Sequence, residues 1–454
     1  MTSSSSRLSW AARAYRKTLA HYLNLIISKD ASLLEIGSGE GVLLQQLHGA
    51  RKTGIDADAV AVAAAATLNP DAEVIVAKGE FFTPTVTPDY ILLADTLNHV
   101  EDVQAVLEKV RSYALPSTRL VISCYNTLWR PVLAVATWLR LRAPQEASNW
   151  LSRHDLENLI ELADWETIRK EARILCPIEI PLIAPFLNRW IAPLLPACCL
   201  TIIFVARPRE VKREVAKTVS VIIPARNESG NIEAAIARTP EMGAWTELIF
   251  VEGNSTDDTW TAIQKVQTEH PERRIKIAQQ PGRGKGDAMR TGYALAEGEI
   301  VMILDADLTM PPEDLPKFYH AVANGSCEFA NGSRLVYPME EKAMQFCNLC
   351  VNKIFGIIFS WLLGQQVKDT LCGTKVIMKE NYLKIAANRS YFGEFDPFGD
   401  FDLLFGASKL NLKIRDIPVR YRERTYGTTN ITRWSAGMLL LRMIIFAARK
   451  LKFV

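Results

Sequence analysis

The stretch GEIVMILDADLTMPPEDLP, residues 298–316, decides the fold of the second half of the chain. Its apolar run, residues 300–304, is short and is followed at once by carboxylates. This pattern is typical of a strand buried on both faces in the parallel sheet of an α/β domain. The strand ends in Asp305 and Asp307, and two prolines then prevent further pairing. Because ligands of open α/β sheets collect at the carboxyl ends of strands, we expect this acidic pair to lie at a functional site.

The same two carboxylates predict a metal ion. They repel each other, and burying them is costly without a cation. Hard oxygen ligands suit Mg²⁺ or Mn²⁺, which often share their coordination with substrate phosphates. An isolated Asp-x-Asp is also compatible with a solvated acidic turn, so the neighbouring motifs have to decide between the two interpretations.

Length and composition indicate a folded protein of roughly two or three domains. The chain has 454 residues, of which 48% are hydrophobic and 23% charged. Its formal charge of +3 and the lack of a basic stripe with aromatics exclude a nucleic-acid partner. The eight cysteines form no disulfide framework, which fits a reducing compartment. The sequence leaves the oligomeric state open.

The first half opens with ASLLEIGSGEG, residues 31–41, which predicts a strand, a tight glycine turn and a helix. The glycines allow a ligand to approach the backbone at the helix N-terminus. A second short strand ends in Asp56, where an acid can bind both ribose hydroxyls of a nucleoside-like cofactor. The dinucleotide fingerprint would place a glycine at position 42, which is Val42.

Glu35 followed by G-x-G-x-G resembles class I S-adenosylmethionine-dependent methyltransferases, over roughly residues 20–207. The resemblance implies a Rossmann-like fold and an S-adenosylmethionine site. The residues that would line this site are Glu35, Gly37, Gly39, Gly41, Asp56 and Glu80. His99, in the loop after the expected fourth strand, is a candidate general base because imidazole titrates near neutrality. The methyl acceptor is not identified by the sequence.

The second half combines several motifs in a fixed order: VSVIIPARNE (219–228), EGNSTDD (252–258), GRGKGD (282–287) and the acidic pair. Together they resemble inverting glycosyltransferases of the GT-A fold, in the branch similar to dolichol-phosphate mannosyltransferase and polyprenyl-phosphate glycosyltransferases. The predicted fold class is therefore α/β in two domains, a Rossmann-like methyltransferase fold followed by a GT-A fold. The implied donor is a nucleotide-sugar.

The resemblance assigns roles within this second domain. Asp305 and Asp307 would hold Mg²⁺ or Mn²⁺ against the donor diphosphate, and Lys285 would lie near the phosphates as a point charge. Two departures from the family pattern leave the donor and the metal geometry open, namely Gly253 in place of an Asp and Thr309 where some relatives have Gln. The residues expected to contact the donor are Pro224, Ala225, Asn227, Glu228, Glu252, Lys285 and Asp305.

Later motifs suggest the acceptor and the reaction. By the same resemblance, Arg334 would grip the phosphate of a polyprenyl-phosphate acceptor bidentately. Arg424, near the late motif, would stabilise the departing charge. Asp400 and Asp402 occupy the place of a catalytic acid in other members of the fold. A hydroxyl acceptor would need such a base, whereas a phosphate is already anionic.

Domain limits and membrane contact follow from composition. We expect a first domain at residues 1–207, a charged linker at 208–217, a second domain at 218–434 and an amphipathic helix at 435–454. Residues 346–363 and 435–454 are apolar but interrupted by polar or basic residues, which favours helices lying in a membrane interface. The proline-rich segment 176–205 lacks the roughly 20 uninterrupted apolar residues of a transmembrane helix. The chain is therefore predicted to be cytoplasmic and peripherally membrane-associated.

Two alternatives stay open at this point. The acceptor is either a polyprenyl phosphate or a glycan hydroxyl, in which case Asp400 or Asp402 becomes essential. The first domain is either an active methyltransferase or a non-catalytic binding or docking module.

Overall fold

The computed structural model describes residues 10–100, 102–138, 149, 151–209, 216–335, 346–389, 399–422, 424, 426 and 433–454. The chain divides into two compact units, residues 1–209 with 452–454, and residues 210–451. The boundary lies within the predicted linker, although residue 208 still belongs to the last strand of the first unit, and most of the linker lies outside the described residues. Residues 427–429 of the late motif also lie outside them.

The first unit contains seven strands and seven α-helices among its described residues. The strands are β1 (Ser32–Ile36), β2 (Arg51–Asp56), β3 (Glu73–Val76), β4 (Tyr90–Ala94), β5 (Arg119–Tyr125), β6 (Trp165–Arg173) and β7 (Thr201–Pro208). The helices are α1 (Trp10–Leu23), α2 (Val42–Gln46), α3 (Ala59–Leu68), α4 (Val103–Ser112), α5 (Arg130–Trp138), α6 (Arg153–Leu162) and α7 (Ile183–Phe186).

These strands form one mixed sheet in the order β3-β2-β1-β4-β5-β7-β6. Strands β1 to β5 run parallel, while β7 is antiparallel to both of its neighbours. β4 and β5 are buried almost throughout, as expected of strands covered on both faces. Several helices start at side-chain caps, such as Asp58 for α3 and Asp102 for α4. After β1 the strand order continues in one direction through β2 and β3, and β4 then starts the opposite direction on the other side of β1. This reversal creates a topological switch point between β1 and β4.

The second unit has the same number of strands. They are β8 (Val219–Ala225), β9 (Thr246–Glu252), β10 (Arg274–Gln279), β11 (Ile300–Ile303), β12 (Phe329–Ser333), β13 (Lys375–Met378) and β14 (Ile414–Pro418). The described helices are α8 (Ile232–Arg238), α9 (Thr259–Glu269), α10 (Lys285–Leu295), α11 (Leu315–Ala323), α12 (Phe346–Leu363), α13 (Lys379–Ala387), α14 (Asp400–Lys409) and α15 (Arg433–Leu451).

Its sheet has the order β10-β9-β8-β11-β13-β12-β14. The first four strands in this order are parallel, and β13 is antiparallel to β11 and β12. The quoted stretch forms β11, which is completely buried and lies beside β8. The switch point between β8 and β11 therefore brings the ends of both strands, and the motifs that follow them, to one edge.

No helix in the described segments is long and apolar enough to cross a bilayer. Helix α15 buries Met443, Ala447 and Ala448 and exposes Leu441 and Ile445.

Candidate active sites

The turns after β8 and β9 lie side by side at one edge of the second sheet, because these strands are parallel neighbours. Asn227 has a left-handed backbone with φ of 57°, and its side-chain oxygen accepts a hydrogen bond from the Thr256 amide at 2.8 Å. Glu252 is buried at the end of β9 and accepts from the Ser255 amide at 2.5 Å. The Asn227 contact joins the two turns and the Glu252 contact stabilises the second turn, so predicted donor-binding residues from both motifs lie at one edge. Pro224 is half-buried at the end of β8, and Ala225 is buried beside it.

Asp305 follows β11 and forms an ion pair with Lys285, with 2.5 Å between Nζ and Oδ1. Burial alone would raise the pKa of Asp305, but the Lys285 ammonium holds it below its usual value. Burial likewise acts to lower the pKa of Lys285, and the carboxylates of Asp305 and Asp400 more than reverse this. Gly373 packs so closely that a Cβ there would overlap both charged groups. The pair is therefore a half-buried charge pair at the start of α10.

Asp307 is joined to the late motif through Arg424. The guanidinium donates from Nη2 to Asp307 Oδ2 at 2.6 Å and from Nη1 to Glu228 Oε1 at 2.8 Å. The other oxygen of Asp307 accepts from the Thr309 hydroxyl at 2.8 Å. Burial raises the pKa of Glu228, although Arg424 and a hydrogen bond from Asn231 oppose the shift. One arginine thus links residues far apart in the sequence.

The two acids at the start of α14 have different surroundings. Asp400 is buried and close enough to Lys285 to raise the pKa of that ammonium. Asp402 accepts two hydrogen bonds from the guanidinium of Arg389, at 3.0 and 2.8 Å. The structure therefore brings Asp400 to the charged cluster and pairs Asp402 with Arg389, which follows α13.

Arg334, predicted to bind a lipid phosphate, is buried beside Asp369. Its Nε and Nη2 donate to the two carboxylate oxygens at 2.7 and 2.9 Å, and its guanidinium lies 5.1 Å from the centre of the Tyr421 ring. Burial would raise the pKa of Asp369, but Arg334 holds it below its usual range. The bidentate grip is thus already used within the chain, and an acceptor phosphate would have to share this guanidinium with Asp369. Phosphate binding by Arg334 stays a prediction.

Two carboxylates of this edge, those of Asp305 and Asp307, are candidate ligands for a divalent cation. Within the described part of the chain, no group of three or more His, Cys, Asp or Glu side chains is arranged to hold a metal. Asp305 and Asp307 nevertheless offer two carboxylates one residue apart, and each already attracts a cation of the chain. Because Mg²⁺ usually binds one or two carboxylates together with phosphates and waters, this pair suits such an ion.

The site in the first unit is built around the turn between β1 and α2. Gly37, Gly39 and Gly41 all have positive φ, and a Cβ at Gly39 would meet nothing within 4 Å. The Gly39 amide donates to Asp56 Oδ2 at 2.8 Å. The predicted turn is therefore present, with its central glycine open on one side and its second-strand acid in contact with it.

Glu35 is a buried acid without a hydrogen-bond partner at Oε2. Burial raises the pKa of Glu35 to about 8 from an ordinary value near 4.5, with Arg16 opposing and Asp56 reinforcing the shift. A buried, unsatisfied carboxyl is costly to keep. This orphaned oxygen, beside an open glycine turn, fits a cationic cofactor such as S-adenosylmethionine.

The remaining predicted residues of this unit lie at the same edge of the sheet. Glu80 is half-buried in the turn beyond β3, and His99 is exposed in the turn after β4. No described hydrogen bond joins His99 to a carboxylate that would orient it for base catalysis.

Sequence reasoning missed Asp95, which directly follows β4. It has a positive φ of 58°, accepts from the Tyr15 hydroxyl at 3.0 Å and accepts from the Ser123 hydroxyl at 2.9 Å. Burial raises the pKa of Asp95 despite these two hydrogen bonds. An acid after the fourth strand was visible in the sequence, but its link to Tyr15 on α1 was not.

Comparisons with known proteins assign a family to a part of each unit. Residues 8–170 match the family described as a methyltransferase domain, and residues 220–384 match glycosyl transferase family 2. The prediction of a methyltransferase-like domain followed by a glycosyltransferase domain is therefore confirmed, as is the two-domain α/β fold.

Among curated relatives, the dolichol-phosphate mannosyltransferase of Pyrococcus furiosus is 32% identical over 168 residues, which is 36% of this chain and 46% of that protein. The low-salt glycan biosynthesis hexosyltransferase of Haloferax volcanii is 25% identical over 240 residues, 52% of this chain and 55% of that protein. The chain thus spans about half the length of these relatives. A crystal structure of a SAM-dependent methyltransferase, possible histamine N-methyltransferase, from Thermotoga maritima aligns at 14% identity with a TM-score of 0.34, covering 44% of this chain and 93% of that chain.

Proposed function

We propose that this chain, which joins a methyltransferase domain to a family 2 glycosyltransferase domain, transfers a sugar from a nucleotide-sugar to a polyprenyl phosphate. The transfer proceeds with inversion and depends on Mg²⁺ or Mn²⁺. The first domain uses S-adenosylmethionine to methylate an acceptor that the sequence does not identify. The relatives named for dolichol-phosphate and hexosyl transfer support the class of reaction.

The observation that carries the glycosyl transfer is the convergence of acids and cations after β8 and β11. Lys285 and Arg424 each neutralise one member of the acidic pair. When a nucleoside diphosphate leaves, negative charge grows on its phosphates, and cations that are fixed in position and partly buried stabilise that charge. Lys285 and Arg424 are the groups of this chain that would do so.

A divalent ion would be held by Asp305 and Asp307. When bound, it neutralises the donor diphosphate and so makes it a better leaving group. The hydrogen bond to the buried Glu228 would hold the Arg424 guanidinium in place while Asp307 binds the ion. Asn227 and Glu252 would fix the turns that face the base and ribose of the donor.

The acceptor phosphate attacks the anomeric carbon from the side opposite the departing diphosphate, which inverts the configuration. An anionic phosphate needs no strong base to become a nucleophile. This agrees with Asp402 being tied to Arg389. Arg334 is proposed to contribute positive charge toward the acceptor phosphate from beside Asp369.

The methyltransferase assignment is supported by the open turn at Gly39 and by the orphaned Glu35 carboxyl. Asp56 would accept from the cofactor ribose, and Glu80 would lie near the adenine. We also propose that the chain is peripherally membrane-associated at the cytoplasmic face, since α15 exposes Leu441 and Ile445 beside Arg442.

The test is an incubation of the full chain with a panel of nucleotide-sugars, polyprenyl phosphate and Mg²⁺ or Mn²⁺, with products identified by mass. We expect one donor to yield a glycolipid whose formation stops when EDTA removes the metal. If no donor yields a glycolipid, while a glycan hydroxyl is glycosylated by the same preparation, polyprenyl phosphate is not the acceptor.

A glycan-hydroxyl acceptor is the second candidate, and the burial of Asp400 beside the charged cluster favours it. In that case Asp400→Asn should abolish transfer, because a hydroxyl must lose its proton during attack. With a phosphate acceptor, the same variant should keep most of its turnover. Only a small decrease is expected, because Lys285 loses the nearby negative charge of Asp400.

The alternative for the first domain is a non-catalytic docking module. Thermal unfolding with and without S-adenosylmethionine distinguishes the two, because a ligand that binds only the folded state raises its stability. A shift in the wild type that Asp56→Ala lacks establishes the cofactor site.

A further inference from the structure

One surface of the first unit is unusually apolar for an exposed part of a protein. It is formed by the segment between β6 and β7, which begins at Cys176 and contains α7. The large side chains that this segment exposes are Leu182, Ile183, Phe186, Trp190, Leu194 and Leu195. Leu182 is 87% exposed, although its aliphatic side chain has no polar group to interact with water.

The buried side-chain amide of Asn188 anchors this segment. Asn188 accepts from the amides of Leu175 and Cys176, both at 2.8 Å, and its own amide donates to the Cys176 carbonyl. The Tyr22 hydroxyl of α1 donates to the Asn188 carbonyl at 3.1 Å. The apolar residues are therefore displayed on a fixed base.

A second apolar element adjoins the first. The Asn126 side chain, just after β5, donates to the carbonyls of Ala197 and Cys199, and the Trp129 indole donates to the Cys198 carbonyl at 2.8 Å. Helix α5 then follows, and its segment exposes Leu128, Val132, Val135 and Trp138. The two elements form one continuous apolar surface, which we call the apolar rim (residues 126–138 and 180–200).

The charge of the apolar rim is one-sided. Neither stretch contains an Asp or a Glu, and Arg130 and Arg189 are both exposed. Glu179, directly before the second stretch, is paired with Lys17 at 2.9 Å. Apolar and aromatic side chains bordered by arginines match the boundary of a bilayer that contains anionic lipids.

The rim also lies at the functional edge of the sheet. β7 begins opposite the carboxyl ends of β5 and β6, where Thr201 pairs with Tyr125 and Arg173. The cofactor turn follows the carboxyl end of β1, and Asp95 follows that of β4. Because β1, β4 and β5 run parallel, all these segments meet at one edge.

We propose that the apolar rim docks the methyltransferase unit onto an anionic lipid surface, so that its methyl acceptor is a membrane-borne molecule. Docking itself is independent of glycosyl transfer, whereas the acceptor class rests on the proposed methyltransferase function.

A local probe tests the docking. Cys198 is an exposed thiol of the rim and can carry an environment-sensitive fluorophore. The full chain is labelled and mixed with phosphatidylcholine vesicles, with or without phosphatidylglycerol. Cys198→Ser, labelled in the same way, gives the contribution of other thiols. We expect a blue shift and brighter emission with anionic vesicles, and quenching by lipids that carry a nitroxide in the acyl chain.

A double variant that introduces two negative charges tests the same surface by affinity. Leu182→Asp/Phe186→Asp is expected to weaken vesicle binding by about tenfold or more, because apolar burial in the interface is replaced by a charge. Leu162→Asp, at an exposed apolar position of α6 away from the rim, is the matched control and should bind as the wild type does. An S-adenosylmethionine shift in thermal unfolding checks that the variants are folded.

Several results would overturn the docking proposal. One is unchanged fluorescence of the Cys198 probe when anionic vesicles are added. Another is equal vesicle affinity of the double variant and the wild type. A third is a concentration-dependent dimer that forms in the wild type and not in the double variant. The last would assign the rim to a second copy of the chain. If the Cys198 probe responds to vesicles while no glycolipid forms, docking is supported and the glycosyl transfer is rejected. If a glycolipid forms while the probe does not respond, the glycosyl transfer is supported and docking is rejected.

Discussion

At the scale of single residues, the most informative feature is that both acids of the Asp-x-Asp pair are matched by cations of the chain. Lys285 comes from the start of α10, and Arg424 comes from beyond β14. Each of the four residues was predicted for the same site from its motif. Their pairing was not, because ion pairs between distant segments depend on where the loops cross.

Replacing Asp307 by Asn should remove one metal ligand and one partner of Arg424. We expect kcat for glycosyl transfer to fall roughly 10²–10³-fold, as for loss of a group that stabilises developing charge. Calorimetric titration with Mn²⁺ and a nucleoside diphosphate should show weaker binding in parallel. Glu269→Gln, which alters an exposed acid on α9, should leave both unchanged. Unaltered Mn²⁺ affinity in Asp307→Asn would refute the metal assignment.

Glu35 predicts a pH dependence of the first unit. Its pKa is raised in the folded state to about 8, so the folded unit keeps a proton that the unfolded chain releases. The contribution of this proton to the free energy of unfolding is therefore complete below about pH 4.5 and is lost as the pH rises toward 8, a change on the order of 5 kcal/mol. Glu35→Gln imitates the neutral acid at every pH.

The measurement is thermal unfolding of the first unit from pH 5 to pH 9 without cofactor. We expect the difference in Tm between Glu35→Gln and the wild type to shift in favour of Glu35→Gln by several degrees from pH 5 to pH 9. Parallel curves for the two proteins would show that Glu35 is ionised at neutral pH. With S-adenosylmethionine, binding near pH 7 should release protons, because the cofactor cation favours the carboxylate.

At the scale of elements, strand–turn–helix units were the parts that the sequence predicted best. The strands that precede the glycine turn and the acidic pair appear as β1 and β11. Short buried runs followed by polar turns are determined locally, which is why they could be recognised. The mixed half of the second sheet, β13 and β12, has no such local signature, because antiparallel pairing depends on partners distant in sequence.

The glycine turn allows a matched comparison between two positions. Gly39 and Gly41 both have positive φ, so alanine is strained at either by about 1–2 kcal/mol. A Cβ at Gly41 would also clash with Asn69 and Ala65, whereas one at Gly39 would point into open space. We expect Gly41→Ala to unfold at a clearly lower temperature. Gly39→Ala should stay folded but lose most of its stabilisation by S-adenosylmethionine, and a full cofactor shift in Gly39→Ala would place the cofactor elsewhere.

At the scale of the whole molecule, the chain consists of two units with separate sheets. The first unit includes Lys452–Val454. The Lys452 ammonium donates to Glu171 at 3.3 Å, the Lys452 carbonyl accepts from Arg173 at 2.8 Å, and Phe453 stacks on Trp190 with ring centres 5.1 Å apart. Burial would raise the pKa of Glu171, but Lys452, Arg173 and Arg169 together hold it well below its usual value.

A chain that ends at Leu451 should therefore have a less stable first unit. We expect a loss of about 2 kcal/mol or more, since a buried charge cluster loses one of its members. Calorimetry should show a lower transition for the unit that responds to S-adenosylmethionine, with the transition that responds to nucleotide-sugar and metal unchanged. Equal transitions in the two chains would mean that these contacts contribute no stability.

The contacts of Lys452 to Val454 have a consequence for biosynthesis. A ribosome releases β1 to β7 long before residues 452–454, and the whole second unit is translated in between. Glu171 and Arg173 can therefore bind Lys452 only after the whole second unit has been made. A polypeptide whose synthesis stops within the second unit would have a first unit that lacks these contacts, and cellular proteases remove less stable proteins faster. Full stability of the first unit would then mark only those molecules in which residues 452–454 have been made.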